Sequence, residues 1–242
     1  MSGHSKWATT KRKKATIDAK RGKVFTKLAK LITIAARDGK SGDPTSNPSL
    51  RMAIDNAKAS SMPKENIDRA ITRGLGGGNG AAIEEIIYEA YGPAGMALII
   101  ECLTDNKNRT ISDVKTALSK HGGSFASAGS VAYQFKKVGE IVIDKSKNTL
   151  SDEEIELAVI DSGAEDFEKD GEIYLIYTNF SDLHAVKTAL ESAGIKIDST
   201  EPSQIPSAYI DLPADKKEIA EKLYDSLDDL DDVSKIYLNA NL

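Results

Sequence analysis

Apolar residues recur at three- and four-residue spacing between Ile17 and Arg37, where Val24, Phe25, Leu28, Leu31, Ile32 and Ala35 share one helical face. Lys20, Lys23, Lys27 and Lys30 keep a similar spacing on a different face and form one stripe. Asp38-Gly39 ends this helix, with Gly39 as the residue beyond the cap. Residues 1–15 show no apolar period and read as a segment that is mobile without a partner. Asn47 and Pro48 open a second helix, as N-cap and first helical residue, with Leu50, Ala53, Ile54 and Ala57 inward. Pro63 starts a third, with Ile67, Ala70 and Ile71 inward and Arg69 and Arg73 toward solvent. Three helices joined by short turns predict a small bundle. The run Gly74-Leu75-Gly76-Gly77-Gly78-Asn79-Gly80 reads as a flexible linker.

Beyond the linker the pattern turns to strands and helices in alternation. Ile83 to Tyr91 and Met96 to Leu103 read as strands around the turn Gly92-Pro93-Ala94-Gly95. Thr110 to His121 is helical, with Ile111, Val114, Ala117 and Leu118 on one side and Gly122 closing it, and Val131 to Phe135 reads as a strand. From Gly139 to Ile205 a self-contained series follows: strand Glu140–Asp144, helix Ser151–Ser162, strands Ala164–Glu168 and Glu172–Thr178, helix Ser181–Ala193, strand Ile195–Ser199. That βαββαβ order is the ferredoxin-like pattern. The chain then returns to strand (Ala208–Leu212), helix (Ala214–Leu227) and strand (Val233–Leu238). Pattern alone allows four consecutive units or an insertion. The insertion is favoured, because the first sheet otherwise has few strands for its area. The expected fold is α+β and multidomain. Residues 1–80 form a basic three-helix bundle with its glycine linker, residues 81–138 plus 206–242 a middle α/β domain, and residues 139–205 a ferredoxin-like domain inserted into it.

At 242 residues, 40% hydrophobic and 29% charged, the chain has ordinary globular composition and is not a disordered one. The longest apolar runs, such as Met96-Ala97-Leu98-Ile99-Ile100, are far too short to span a bilayer, and the basic N-terminus lacks the apolar core of a secretory signal. A cytoplasmic protein with no membrane partner is expected. The single cysteine, Cys102, excludes an internal disulfide and a multi-cysteine zinc site, and its apolar neighbours make it a buried small hydrophobe.

Charge changes the picture more than composition does. The first thirty residues carry ten Lys or Arg and one acid, Asp18. Residues 1–80 hold 17 basic and 6 acidic side chains, a net of +11, whereas the remainder nets −16, which together give the chain's −5. A cationic end on an acidic body suits docking on a polyanion, since Lys and Arg bind phosphate backbones with release of counterions. The candidate nucleic-acid contacts are His4, Lys6, Trp7, Lys11, Arg12, Lys13, Lys14, Lys20, Arg21, Lys23, Lys27 and Lys30, with Trp7 able to stack on an unpaired base. The competing reading is a solvated helix face, the usual fate of a charge run. Lys107 and Arg109 are possible secondary phosphate contacts. They lie in Asp105-Asn106-Lys107-Asn108-Arg109-Thr110, whose first reading is a turn with Asn108 or Thr110 as N-cap.

No enzyme motif is visible. Gly74–Gly80 follows a helix and lacks the Lys-Ser/Thr ending of a phosphate loop. His4, His121 and His184 are scattered, with no paired metal-binding spacing and no nucleophile elbow. Asp225, Asp228, Asp229, Asp231 and Asp232 lack the alternation and glycine of a calcium loop and read as a solvated face that repels polyanions. No catalytic residue, metal or cofactor is expected.

Several blocks resemble one family along essentially the whole chain. They are Gly3-His4-Ser5-Lys6-Trp7, Asp18-Ala19-Lys20-Arg21-Gly22-Lys23-Val24-Phe25, Asn47-Pro48 with Leu50-Arg51, Met62-Pro63-Lys64-Glu65-Asn66-Ile67, Glu101-Cys102-Leu103-Thr104-Asp105-Asn106, Gly129-Ser130-Val131-Ala132-Tyr133, and Leu227-Asp228-Asp229-Leu230-Asp231-Asp232. Together they resemble the YebC/PmpR family, which includes the mitochondrial translational activator of cytochrome c oxidase. The resemblance implies a three-domain cytoplasmic protein, helical in its first domain and with the third inserted into the second. It implies a non-enzymatic DNA-binding transcriptional regulator. The alternative it offers is a ribosome-associated translation factor that aids synthesis through difficult, proline-rich stretches, with ribosomal RNA as the nucleic acid. A reading from another class is a protein-interaction or assembly factor whose acidic domains are the working surface.

Overall fold

The computed structural model describes the backbone of residues 6–77 and 82–242, and the side chains of 22–77 and 82–242. The first helix, α1 (Lys6–Asp38), runs 33 residues and starts well before the apolar period that announced it. No Gly or Pro interrupts Lys6 to Arg21, and its Ala, Lys and Arg residues are strong helix formers, so propensity carries the helix where amphipathicity is absent. Then come α2 (Pro48–Ala59) and α3 (Lys64–Gly74). Asn47 caps α2 by accepting from the Leu50 N–H at 3.0 Å, and its amide donates to the Ala35 carbonyl near the end of α1 at 2.8 Å. One buried side chain thus serves two helix ends. Ile32, Ala36, Leu50, Ile54, Ala57, Met62, Ile67 and Ala70 form the bundle core. Gly74 belongs to this bundle and not to a linker: a Cβ there would strike the Thr33 carbonyl and the Ala36 methyl, so glycine lets α3 close on α1. The linker's remaining glycine-rich part, from Gly78, lies outside the described residues.

Residues 84–126 add β1 (Glu84–Tyr91), β2 (Ala97–Thr104), α4 (Lys107–Lys120) and β3 (Ser124–Ala126). The next elements are β4 (Phe135–Asp144), α5 (Asp152–Asp161), β5 (Asp166–Asp170), β6 (Ile173–Thr178), α6 (Leu183–Ser192) and β7 (Ser199–Pro206). The chain ends with α7 (Ala214–Asp228) and β8 (Val233–Leu238). The fold is α+β, with seven helices and two four-stranded sheets among the described residues. It divides into two compact units: residues 136–205, and residues 8–135 together with 206–242.

In the larger unit the sheet order is β3-β1-β2-β8, with antiparallel pairing throughout. Ile100 of β2 faces Tyr88 on one side and Ile236 on the other. Strand β2 is central and covered on both faces. Leu98, Ile100 and Cys102 pack with Val114, Leu118, Leu223 and Leu227 of α4 and α7, while Ala97 and Ile99 pack with Val131, Phe135 and Tyr237. This double burial is why the strand opens with the apolar run Ala97-Leu98-Ile99-Ile100 instead of alternating. In the smaller unit the order β5-β6-β4-β7 is that of the split βαβ fold. Its α5 starts in a capping box made by Ser151 and Glu154.

Three expected strands differ. Val131 to Phe135 is a short 3-10 turn, Ala132–Gln134, because a buried carboxylate described below gathers the backbone N–H groups there. Ile195 is buried and caps the end of α6, donating its N–H to the Leu190 carbonyl, so the last strand of the smaller unit starts only at Ser199. Ala208–Leu212 contributes a single bridge, Ile210 to Ala240.

Candidate nucleic-acid interface

Spacings of four and three along α1 bring Lys23, Lys27 and Lys30 into one row, and the larger unit places that row against the acidic turn between α7 and β8. The Lys23 ammonium donates to the Asp229 carbonyl at 2.7 Å, and Lys27 donates to both the carbonyl and the carboxylate of Asp228 at 3.1 Å. Lys30 spends its three donors on the Leu103 carbonyl (3.0 Å), the Asp231 carbonyl (2.9 Å) and the Asp232 carboxylate (2.8 Å). Asp228 and Asp229 end α7, so these cations also meet the negative pole of that helix. The expectation of a solvated, polyanion-repelling acidic face is thereby corrected. The turn is a receptor for the lysine row, and Asp232 is buried.

Asp232 is the centre of a closed cluster. Its second carboxylate oxygen accepts from the Arg109 guanidinium at 2.7 and 3.2 Å, from the Thr110 hydroxyl at 2.8 Å and from the Thr104 hydroxyl at 3.2 Å. Burial alone would raise its pKa, but the hydrogen bonds from Lys30, Arg109 and Thr110 outweigh it and hold the carboxyl at about 2. Arg109 also bridges to Asp105 at 3.1 Å. Lys107 pairs with Glu84 at 2.7 Å, with both partners exposed. The N-cap of α4 is Asn106, which accepts from the Arg109 N–H, and not Asn108 or Thr110, because Thr110 is turned inward to Asp232.

Residues of α1 from Gly22 to Thr33 and of α3 from Asn66 to Arg73 border a second feature, a cleft of about 490 Å³. Phe25, Ala29, Met62 and Ala70 contribute its apolar lining, and Asn66, Arg69, Arg73 and Lys30 its polar one. Arg69 and Arg73 are exposed, as the third-helix pattern predicts.

Two buried groups explain sequence blocks without supplying chemistry. Glu89 of β1 accepts from the N–H groups of Gly129 (2.6 Å), Val131 (2.6 Å) and Ala132 (2.9 Å). Burial opposes its charge, but these backbone donors win and lower its pKa. The Cys102 thiol is fully buried, and burial, reinforced by the Asp232 charge, pushes its pKa up to about 12, which removes it as a nucleophile at neutral pH. Among the described residues no group of His, Cys, Asp and Glu could hold a metal ion, and no helix is long and apolar enough to cross a membrane.

Of the predicted contact residues, Lys23, Lys27, Lys30 and Arg109 are brought together, on protein acids and carbonyls. The side chains of His4, Lys6, Trp7, Lys11, Arg12, Lys13, Lys14, Lys20 and Arg21 lie outside the described residues. Sequence reasoning missed Asp232, Thr104 and Thr110. The available signal was an acid-rich block and a lysine stripe of opposite sign in one chain, but nothing in either gives their contact.

Residues 5–77 match a family described as "TACO1/YebC protein N-terminal domain", and residues 83–240 one described as "TACO1/YebC second and third domain". A protein of Salinispora arenicola named "Probable transcriptional regulatory protein" is 51% identical over 240 residues, which are 99% of this chain and 95% of its own. A Chlorobaculum tepidum protein, "Probable transcriptional regulatory protein CT1665", is 49% identical over 243 residues, 100% of this chain and 96% of its own. Among solved structures, a conserved hypothetical protein from Aquifex aeolicus, Aq1575, superposes with a TM-score of 0.88 at 39% identity, covering 93% of this chain and 92% of that one.

Proposed function

The chain belongs to the TACO1/YebC family, and from that premise we propose that it is a non-enzymatic, nucleic-acid-binding regulator of gene expression. The observation that carries this reading is the division of charge. Ten basic residues and one acid fill the first thirty positions of an otherwise acidic chain, and from Lys6 onward they lie on one continuous helix. Lys11, Arg12, Lys13 and Lys14 are the proposed grip on phosphate, with Lys6, Trp7, Lys20 and Arg21 beside them. Lys23, Lys27 and Lys30, held by the acidic turn, orient α1 on the α/β body and leave the grip to the segment ahead of them. Phosphate contacts position a protein but carry no sequence information, so modest specificity is expected. The relatives' names favour transcription, and hence duplex DNA, as the setting. A second reading, action on ribosomal RNA as a translation factor, is favoured by the cleft beside α1, whose apolar lining suits an unpaired base better than a closed duplex.

The test is a salt titration of binding to duplex DNA and to purified ribosomes, for the native chain and for a variant with Lys11, Arg12, Lys13 and Lys14 changed together to Ala. Each lost phosphate contact flattens the log–log salt slope on DNA by about 0.9. A flatter slope on DNA with weak ribosome binding supports the transcriptional reading, and tight ribosome binding lost in the variant supports translation. Absence of binding to either polyanion near physiological salt overturns both and returns the basic helix to an acidic protein partner.

A further inference from the structure

The cleft between α1 and α3 joins an apolar lining to cationic groups at its edge. Its lining includes the Phe25 ring and the apolar side chains of Ala29, Met62 and Ala70. The Thr33 hydroxyl donates to the Ala29 and Ala70 carbonyls and the Thr26 hydroxyl to the Gly22 carbonyl, so these two hydroxyls are already engaged with backbone. The polar lining is mostly cationic. The Arg73 side chain is exposed and its guanidinium makes no hydrogen bond or ion pair among the described residues, and the Arg69 guanidinium is braced by the Glu65 carbonyl and the Asn66 side-chain oxygen. The brace leaves Arg69 further N–H donors for a ligand. Asn66, half-buried at the edge, has its oxygen on Arg69 and keeps its amide N–H donors for a base edge. At about 490 Å³ the cleft is of small-ligand size. Gly22 keeps one side open, because an added Cβ there meets no atom within 4 Å.

We propose that this cleft receives one unpaired nucleobase of a single-stranded nucleic acid, with the flanking phosphates on Arg69 and Arg73. The apolar lining with an aromatic ring provides sequence-tolerant stacking, and the two guanidiniums, four residues apart on α3, provide anion contacts. A paired, stacked duplex cannot supply the base, so the site selects single strands or loops. This deepens the nucleic-acid reading above and rests on it.

The experiment measures fluorescence anisotropy of the full chain with three labelled probes at one salt concentration: a short oligothymidylate, an abasic strand of equal length and backbone, and a blunt duplex. The native chain is expected to prefer the oligothymidylate over the abasic strand by roughly tenfold, the low-to-middle range for one stacked base. Gly22→Leu, a helix-favouring change into open space, and Ala29→Met are expected to erase that preference while leaving abasic-strand affinity unchanged. Arg73→Gln is expected to weaken both single strands equally. Equal affinity of the native chain for oligothymidylate and abasic strand overturns the inference, leaves the nucleic-acid function standing and assigns the cleft to an apolar side chain of a protein partner. Survival of the preference in both cleft-filling variants also overturns it. Failure of all three probes to bind overturns the nucleic-acid reading itself.

Discussion

Replacing Asp232 should loosen the contact between α1 and the α/β body more than any other single acidic substitution in the α7–β8 turn. Its side chain is 9% exposed and holds Lys30 at 2.8 Å and Arg109 at 2.7 Å, with two threonine hydroxyls on the same group. A carboxyl held at about 2, against an ordinary 3.8, corresponds to roughly 2 kcal/mol in favour of the charged folded form. Arg109 is half-exposed, so solvent screening trims its share. Asp232→Asn, which keeps the shape and loses the charge, should therefore cost about 1–2 kcal/mol. Asp232→Ala should cost about 3 kcal/mol, the low end for breaking a buried pair, because Lys30 retains its two carbonyl partners. Urea unfolding at neutral pH measures both. The pH dependence has a definite sign. A depressed folded-state pKa stabilises above the ordinary value of 3.8, and that stabilisation is lost as pH falls through about 2. The gap between native chain and Asp232→Asn should thus close over this window. A double variant with Lys30→Met should be non-additive by about 0.5–3 kcal/mol. Loss under about 0.5 kcal/mol for Asp232→Ala, or a gap for Asp232→Asn that does not narrow on acidification, would refute the reasoning.

Glu89→Gln should lower stability by about 2–3 kcal/mol in calorimetry, since it sets an amide against three backbone donors. Because its folded pKa lies below the usual 4.5, the native chain should lose this contribution as pH drops beneath that value. Gly74→Ala should cost about 1–3 kcal/mol through collision with the Thr33 carbonyl, read as a lower melting temperature. Cys102 should resist an aromatic disulfide reagent in the native state and react once urea unfolds the chain, and fast labelling without denaturant would contradict its burial.

What was legible in the sequence is what local chemistry dictates. Asn47 and Pro48 announce α2 because a cap and a first-turn proline act within a few residues. The apolar run at the start of β2 announces a strand, and the order of elements from 139 to 205 announces the split βαβ unit. What was not legible depends on partners far along the chain. Asp232 reads as one more acid of a polar turn until Lys30 arrives from 202 positions away. Val131 to Phe135 has strand composition, but Glu89, 42 positions before Val131, bends it into a turn. Gly74 looks like the start of a glycine tract, yet its lack of a side chain serves a helix crossing. The stripe at Lys23, Lys27 and Lys30 was visible as charge, but charge does not say whether its counterpart is phosphate or protein.

The interposed unit imposes an order of events during synthesis. Strand β2 is central in its sheet, yet its neighbour β8 emerges from the ribosome roughly 130 residues later, a delay of about 6 to 26 s at usual elongation rates. The neighbours from either end of the chain meet where Ser207 donates to the Gln134 carbonyl at 2.7 Å, so residues 136–205 can fold as a closed loop while β2 still lacks its partner on that side. The acidic turn is made only just ahead of β8. Until that turn is made, Lys23, Lys27 and Lys30 lack the Asp228–Asp232 groups that hold them in the folded protein.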